Sequence, residues 1–394
     1  MISRTIIKKI KELVKLYPVL TLTGPRQSGK TTLLKKMFPE YAYYSLEDPD
    51  TRMYAATDPR KFLSSGKKGM IIDEAQQMPE LFSYIQGIVD DKGKEGMFIL
   101  SGSHNFLLLE KITQSLAGRV AVLKLMPFSL RELAFKKYPM QDYETYLFKG
   151  FYPRMYDKKI SPADFYPYYL QTYIERDVRL IRNITDQSAF IRFIKLLAGR
   201  AGQLLNITSL SNDCGISQIT CKEWLSILEA SYIIYLLMPH HKNYNKRLVK
   251  MPKIYFHDTG LLCYLLGIKS TNQLSTHYAI GSLFENFIMN EFMKYSYHHG
   301  AEPAYYFWRD KMQKEIDLLI ENGHVLIPVE IKSGKTFNYE YFKQVNYWNK
   351  LSGNNSENSY MVYGGNKNLS TSSGHVISWK NMEQLMKYAF NKKQ

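Results

Sequence analysis

Residues 24–31 read G-P-R-Q-S-G-K-T, a pattern that few folds accommodate. The apolar run L-T-L-T precedes it and the helical pattern T-L-L-K-K-M follows it, which is the strand–loop–helix context of a phosphate-binding loop. Lys30 is predicted to reach the β- and γ-phosphates of ATP, and the hydroxyl of Thr31 to coordinate Mg²⁺. The predicted nucleotide contacts are Gly24, Pro25, Arg26, Gln27, Ser28, Gly29, Lys30, Thr31 and Thr32.

Two carboxylates follow a later buried strand, in G-M-I-I-D-E-A. The strand delivers Asp73 to its carboxyl end, where it can hold Mg²⁺, and Glu74 is then placed to polarise the attacking water. A third strand, M-F-I-L, leads into Ser103 and Asn105. These two residues either contact the γ-phosphate and orient the water, or cap the helix that starts near Phe106.

Five apolar runs in the first 135 residues alternate with helical patterns, which is typical of an α/β domain with a mostly parallel sheet. Ligands of such sheets bind beyond the carboxyl ends of the strands, so the loop and the carboxylates are expected at one edge. The predicted strands are Val19–Thr23, Tyr41–Ser45, Met70–Ile72, Met97–Leu100 and Val120–Leu125.

A second group of charged residues occurs in K-E-I-D-L-L-I-E-N-G-H-V-L-I-P-V-E-I-K-S-G. Asp317 starts one predicted strand, and Glu330 and Lys332 lie two residues apart on the next, so their side chains share a face. Glu285, on an upstream apolar helix, can add a third carboxylate. Glu285, Asp317 and Glu330 are therefore candidates to bind Mg²⁺ and activate a water against a phosphodiester.

The net charge of +16 predicts an anionic partner, either nucleic acid or a membrane surface, with an ordinary solvated surface as the alternative. A helix, a turn at Gly215 and a second helix, followed by the strand-like run Y-I-I-Y-L-L, favour a winged helix. Such an element either binds DNA or serves as a structural lid or protein-docking module. The candidate DNA contacts are Lys222, Lys242, Lys246, Arg247 and Lys250.

Three cysteines without C-x-x-C spacing predict reduced thiols and a cytoplasmic protein. The chain has no apolar run of the ~18 residues that a membrane span needs, so no membrane span is predicted, and no membrane partner is favoured. The amino-terminal segment has apolar residues at helical spacing with lysines between them, which indicates an amphipathic helix and not a signal peptide.

Taken together, the motifs resemble a prokaryotic family of AAA-plus ATPases with a winged-helix region and a C-terminal PD-(D/E)xK nuclease-like domain. Further resemblance lies in L-A-G-R, Y-I-E-R-D-V and K-I-Y-F-H-D-T-G-L-L. The implied fold class is α/β, with a P-loop AAA-plus parallel-sheet domain, a helical and winged-helix middle, and a restriction-endonuclease-like α/β domain. The predicted boundaries are 1–135 for the ATPase domain, 136–190 for a helical lid, 191–275 for the winged helix and 276–394 for the nuclease-like domain.

The resemblance also implies individual roles. Arg119 takes the place of an arginine finger that enters a neighbour's site, which would require a homo-oligomer; the alternative is an ordinary surface salt bridge. Arg176 is a candidate sensor arginine in the lid, while His104 departs from the small or amide residue expected there. Glu285, Asp317, Glu330 and Lys332 fill the nuclease signature positions, but the Pro that normally precedes the first Asp is absent.

The leading hypothesis is a Mg²⁺-dependent, oligomeric ATPase that remodels or processes DNA, including branched DNA such as a Holliday junction. One alternative is a nucleotide-controlled protein-interaction switch with an inactive nuclease-fold domain. Another is an ATP-gated nuclease of the defence type.

Overall fold

The computed structural model describes residues 2–103, 115–134, 142–173, 184, 186–240 and 250–391. Its amino-terminal part is a five-stranded sheet in which every strand pair is parallel, as the sequence predicted. The strands are β1 (Val19–Thr23), β2 (Ala42–Ser45), β3 (Met70–Asp73), β4 (Phe98–Gly102) and β5 (Val120–Lys124), in the order β2-β3-β4-β1-β5. The helices are α1 (Ile7–Leu13), α2 (Lys30–Met37), α3 (Pro49–Thr57), α4 (Pro59–Ser64), α5 (Leu81–Lys92) and α6 (Leu130–Ala134).

Both faces of this sheet are buried, because successive side chains of a strand point to opposite faces. Ile72 of β3 packs in the layer that contains Phe82 and Ile85 of α5. Its neighbour Ile71 packs in the opposite layer, with residues of α1 and α2. All strands run the same way, so the ends of β1, β3 and β4 meet at one edge of the sheet.

The middle of the chain is mainly helical. Its elements are α7 (Tyr143–Lys149), α8 (Pro153–Asp157), α9 (Pro162–Tyr169), α10 (Gln187–Ala198), α11 (Ile207–Cys214), α12 (Gln218–Ala230), β6 (Ile234–Leu237), β7 (Lys253–Phe256), α13 (Thr259–Leu265) and α14 (Thr271–Leu274). Gly215 ends α11 with a left-handed φ of 69°, and the Ser217 hydroxyl accepts a hydrogen bond from the Thr220 N–H at the start of α12. The helix, turn, helix and strand predicted around Gly215 are therefore present.

Asp258, from K-I-Y-F-H-D-T-G-L-L, connects several middle elements. Its carboxylate accepts hydrogen bonds from the Tyr166 hydroxyl at 2.6 Å, the Phe151 N–H at 2.8 Å and the Leu261 N–H at 2.9 Å. Burial raises the pKa of Asp258 above its ordinary value, and these three donors oppose that effect. The carboxylate thus ties α9 and the segment before α8 to the start of α13.

The C-terminal part is a six-stranded mixed sheet in the order β12-β13-β11-β10-β9-β8. Strands β8, β9 and β10 form an antiparallel meander, and β11 then pairs parallel to β10. The elements are α15 (Ile280–His298), β8 (Tyr305–Arg309), β9 (Glu315–Asn322), β10 (Val325–Lys332), α16 (Lys343–Ser352), β11 (Tyr360–Tyr363), β12 (Leu369–Thr371), β13 (Gly374–Ser378) and α17 (Met382–Asn391). Among the described residues, no helix is both long and apolar enough to span a membrane.

Candidate nucleotide site and C-terminal acidic cluster

The loop between β1 and α2 has the backbone that its glycines predict. Gly24 adopts φ 142°, and a Cβ there would lie 2.2 Å from the carbonyl oxygen of Leu125. Gly29 adopts φ 93°, a conformation that side chains with a Cβ rarely take. The loop can therefore close around an anion only with glycine at both positions.

Lys30 lies inside this loop and is 6% exposed. Its ammonium group donates to the carbonyl oxygens of Gly24 at 2.8 Å and Pro25 at 3.1 Å. Burial lowers the pKa of Lys30 to about 8, although Glu74 and Asp73 act in the opposite direction. The site therefore holds a buried cation that an anionic ligand would stabilise.

Asp73 ends β3 beside the first turn of α2. Its carboxylate accepts from the hydroxyls of Thr31 at 2.6 Å, Tyr43 at 2.9 Å and Ser101 at 2.5 Å. The two groups predicted to hold Mg²⁺, Thr31 and Asp73, are thus already in contact. Oxygen donors of this kind suit Mg²⁺, and the Ser28 hydroxyl of the loop is buried without a partner, so the residues fit a Mg²⁺–nucleotide ligand.

Glu74 adopts a left-handed conformation with φ 52°, which is uncommon for a residue other than glycine. Its Oε2 accepts from the Ser103 hydroxyl at 3.1 Å and from the side-chain amide of Gln76 at 2.5 Å. Ser103 therefore contacts the predicted general base. Asn105 and His104 lie outside the described residues.

The phosphate loop opens into a cavity of about 650 Å³. Residues from α8 border this cavity, and Pro153 comes within 3.9 Å of the position that a Cβ on Gly29 would take. These residues were not predicted to belong to the site, because no motif marks them and only the packing of α8 brings them to the loop. Helix α8 contributes Pro153, Arg154 and Asp157 to the cavity, and Lys158, the residue after the helix, also lines it.

Arg119 lies at the opposite edge of the sheet, immediately before β5. Its guanidinium forms a two-point ion pair with Asp90, with Nε 2.5 Å from Oδ1 and Nη2 2.8 Å from Oδ2. The strands separate it from the phosphate loop of its own chain. A role as a finger therefore requires a second chain, and the salt bridge that formed the alternative is present.

The C-terminal acidic cluster comprises Glu285, Glu315, Asp317 and Glu330, and it contacts two lysines, Lys332 and Lys253. Lys332 lies 2.5 Å from Glu330 and 3.8 Å from Asp317, as the two-residue spacing predicted. Glu285 instead pairs with Lys253 of β7 at 3.0 Å. Within the described parts of the chain, no three His, Cys, Asp or Glu side chains are grouped closely enough to hold a metal ion.

The candidate DNA contacts can be located only in part. Lys222 is exposed on α12 and Lys250 is exposed before β7. Lys242, Lys246, Arg247 and the candidate sensor Arg176 lie outside the described residues.

The sheet, the phosphate loop and the paired carboxylates define the class of P-loop ATPases. A family model described as an AAA domain matches residues 16–134. Two models described as domains of unknown function match residues 140–272 (DUF8612) and 280–382 (DUF4143). Uncharacterised proteins of Mycobacterium tuberculosis and Mycobacterium bovis are each 31% identical to this chain over 332 residues, covering 83% of this chain and 73% of the relative. The chain belongs to the family of these mycobacterial proteins.

Two solved structures show a partial likeness. A Walker-type ATPase of Pyrococcus abyssi is 14% identical and covers 67% of this chain and 96% of its own, with a TM-score of 0.45. The AMPPCP-bound DnaA of Aquifex aeolicus is 14% identical and covers 57% and 86%, with a TM-score of 0.31. At such low scores no functional conclusion follows from them.

Proposed function

We propose that this protein is a Mg²⁺-dependent ATPase, active as a homo-oligomer, whose nucleotide cycle acts on DNA. The observation that carries the ATPase proposal is the contact between Thr31 and Asp73 beside the buried ammonium of Lys30. Phosphate, metal and water positions would all be defined within this one edge of the sheet.

The chain's own residues divide the work of hydrolysis. Lys30 and the loop N–H groups bind the phosphates, and Thr31 and Asp73 would hold Mg²⁺, which neutralises phosphate charge when bound. Glu74 takes the proton of the attacking water, and Ser103 and Gln76 keep its carboxylate oriented. Arg154 and Lys158 add positive charge from α8, so that a bound nucleotide would contact both the sheet domain and the middle of the chain.

Variants of the phosphate loop test the ATPase proposal directly. Lys30→Ala and Glu74→Gln are each expected to reduce Mg²⁺-dependent phosphate release by ~100-fold or more, because one removes phosphate binding and the other the general base. The matched controls are Lys36→Ala and Glu95→Gln, both exposed residues of the same domain. Turnover that survives Lys30→Ala would refute the proposal.

DNA is the favoured partner because of the charge of +16 and the exposed position of Lys222 on α12. ATP turnover should rise several-fold with DNA, and the response should fall steeply with salt. Duplex, single-stranded and four-way-junction DNA at two salt concentrations would identify the preferred structure. Lys222→Ala should weaken the response, with Lys195→Ala as the control.

A nucleotide-controlled protein switch is the second candidate, and one observation favours it. Ile219 is 72% exposed at the start of α12, beside the exposed carboxylate of Glu223. A protruding apolar side chain next to an acidic group suits a protein partner better than a phosphate backbone. If no DNA structure changes ATP turnover, this candidate replaces the DNA proposal.

A further inference from the structure

The C-terminal acidic cluster contains a lysine from outside its own sheet. Lys253, the first residue of β7, is 2% exposed. Its ammonium group lies 2.5 Å from Glu315 and 3.0 Å from Glu285. Glu285 also accepts a hydrogen bond from the Tyr255 hydroxyl at 2.5 Å, so β7 contributes two donors to the same carboxylate.

A cationic side chain of the protein lies against every carboxylate of the cluster. Four carboxylates, those of Glu285, Glu315, Asp317 and Glu330, face the ammonium groups of Lys253 and Lys332 and the guanidinium of Arg309, which is 3.0 Å from Glu315. Asp317 additionally accepts from the Ile331 N–H at 2.8 Å. One oxygen each of Glu285, Asp317 and Glu330, and both oxygens of Glu315, are thus engaged by protein donors.

One buried carboxylate oxygen of this set has no hydrogen-bond partner, but the described side chains around it are not grouped closely enough to hold a metal ion. Oε2 of Glu330 is buried without a hydrogen bond, while Oε1 contacts Lys332.

Lys253 is buried and pairs with two carboxylates at once, those of Glu285 and Glu315. A buried ion pair of this kind is costly to break, because removing one partner leaves an uncompensated buried charge.

We infer that Lys253 is the resident cation of this cluster, and that the C-terminal domain therefore holds the middle of the chain through an ionic lock instead of binding the divalent metal that a nuclease would use. This inference does not depend on the proposed ATPase function.

A second contact at the same hairpin supports the lock. The N–H of Phe307 in β8 donates to the carbonyl of Met238, and the N–H of His240 donates to the carbonyl of Phe307 at 2.8 Å. The chain that continues from β6 thus pairs with β8, while β7 supplies Lys253 to the acidic cluster. Both strands of the hairpin therefore contact the C-terminal domain.

The test uses the full-length protein and Mn²⁺ as the probe, counted by electron paramagnetic resonance without nucleotide. Wild type and Asp317→Asn should bind the same number of Mn²⁺ ions. Wild type should also not nick plasmid DNA with Mg²⁺ or Mn²⁺. Lys253→Met should gain one Mn²⁺ site that is lost again in the double variant with Asp317→Asn. Lys269→Met, at an exposed lysine in the middle of the chain, is the matched control and should gain none.

Wild-type protein provides a decision even if Lys253→Met does not fold. Mn²⁺ binding or plasmid nicking by wild type that depends on Asp317 would overturn the inference. Lys253→Arg, which keeps the positive charge, should retain the thermal unfolding midpoint within a few degrees, whereas Lys253→Met should lower it by ~5 °C or more. Equal midpoints for the Met and Arg variants would also overturn it. ATP turnover measured on the same samples reports separately on the ATPase proposal.

Discussion

Burial gives Lys30 a property that an exposed lysine lacks. Its ammonium donates to two carbonyl oxygens, and burial lowers its pKa to about 8. In the free protein the group therefore loses its proton as the pH rises through about 8. A bound triphosphate would stabilise the charged form and raise the pKa again.

ATP binding should therefore take up a proton at Lys30 above pH ~8, and little or none there at pH ~6.5, where the free lysine is already protonated. Calorimetric titrations of ATP in buffers of different ionisation enthalpy measure this uptake. Lys30→Arg, whose guanidinium stays charged, should remove the pH-dependent part, and Lys36→Met should keep it. Identical proton uptake at both pH values in wild type would contradict this account of the free site.

At the scale of elements, α8 extends the nucleotide site beyond the sheet. Arg154 and Lys158 are four residues apart, so they lie on the same side of the chain, and both border the cavity. Their charges would face the phosphates, while their backbone belongs to the middle of the chain. A bound nucleotide would thus contact α8 as well as α2.

The double variant Arg154→Ala/Lys158→Ala is expected to raise the Kd of ATP by about 10-fold, equivalent to the loss of ~1.4 kcal/mol. The Kd of ADP should change less, since the γ-phosphate carries the additional charge. Titration with fluorescent analogues of both nucleotides makes the comparison, with Lys195→Ala as the control. An equal effect on both nucleotides would place these cations away from the γ-phosphate.

The sequence predicted the elements that have strong apolar periodicity, and it also predicted which of their side chains lie close together. The alternation of apolar runs predicted the parallel sheet, and the position of Asp73 at a strand end predicted that it would lie at the same edge of the sheet as Thr31. The two-residue spacing of Glu330 and Lys332 predicted their shared face and their ion pair. Each of these depends on short stretches of chain, where local geometry determines which side chains meet.

The remaining contacts join segments that are far apart in the sequence. Arg154 reaches the nucleotide cavity, and Lys253 reaches Glu285 and Glu315, only because separate parts of the chain pack together. A lone lysine at the start of a predicted strand carries no signal of its partners. For the same reason, the residues of the predicted nuclease signature could not reveal that Lys253, from the separate strand β7, pairs with Glu285.

For the molecule as a whole, a direct contact joins the nucleotide site to α12. Tyr232, two residues beyond α12, adopts a left-handed φ of 56° and places its hydroxyl 2.8 Å from that of Thr23, the residue before Gly24. The preceding residue, Ser231, accepts a hydrogen bond from the Tyr173 hydroxyl at 3.0 Å. This contact connects the end of β1 with the segment after α12, and we expect it to couple the phosphate loop to α12.

Tyr232→Phe should remove the coupling between the nucleotide site and α12. In wild type, ATP is expected to change amide hydrogen exchange in α12, and the variant should lose this change while its affinity for ATP stays within about threefold. Tyr235→Phe is the matched control, because its hydroxyl contacts Asn290 of α15 instead, at 3.1 Å. An unaltered response of α12 in Tyr232→Phe would show that the hydrogen bond carries no coupling.

The contact between Tyr232 and Thr23 has a further consequence, because coupling free energies are reciprocal. Any partner that binds α12 would alter nucleotide affinity by the same factor by which nucleotide alters the affinity for that partner. Displacement of a fluorescent nucleotide would then report occupancy of α12 for DNA and protein alike, without the partner being labelled or known beforehand.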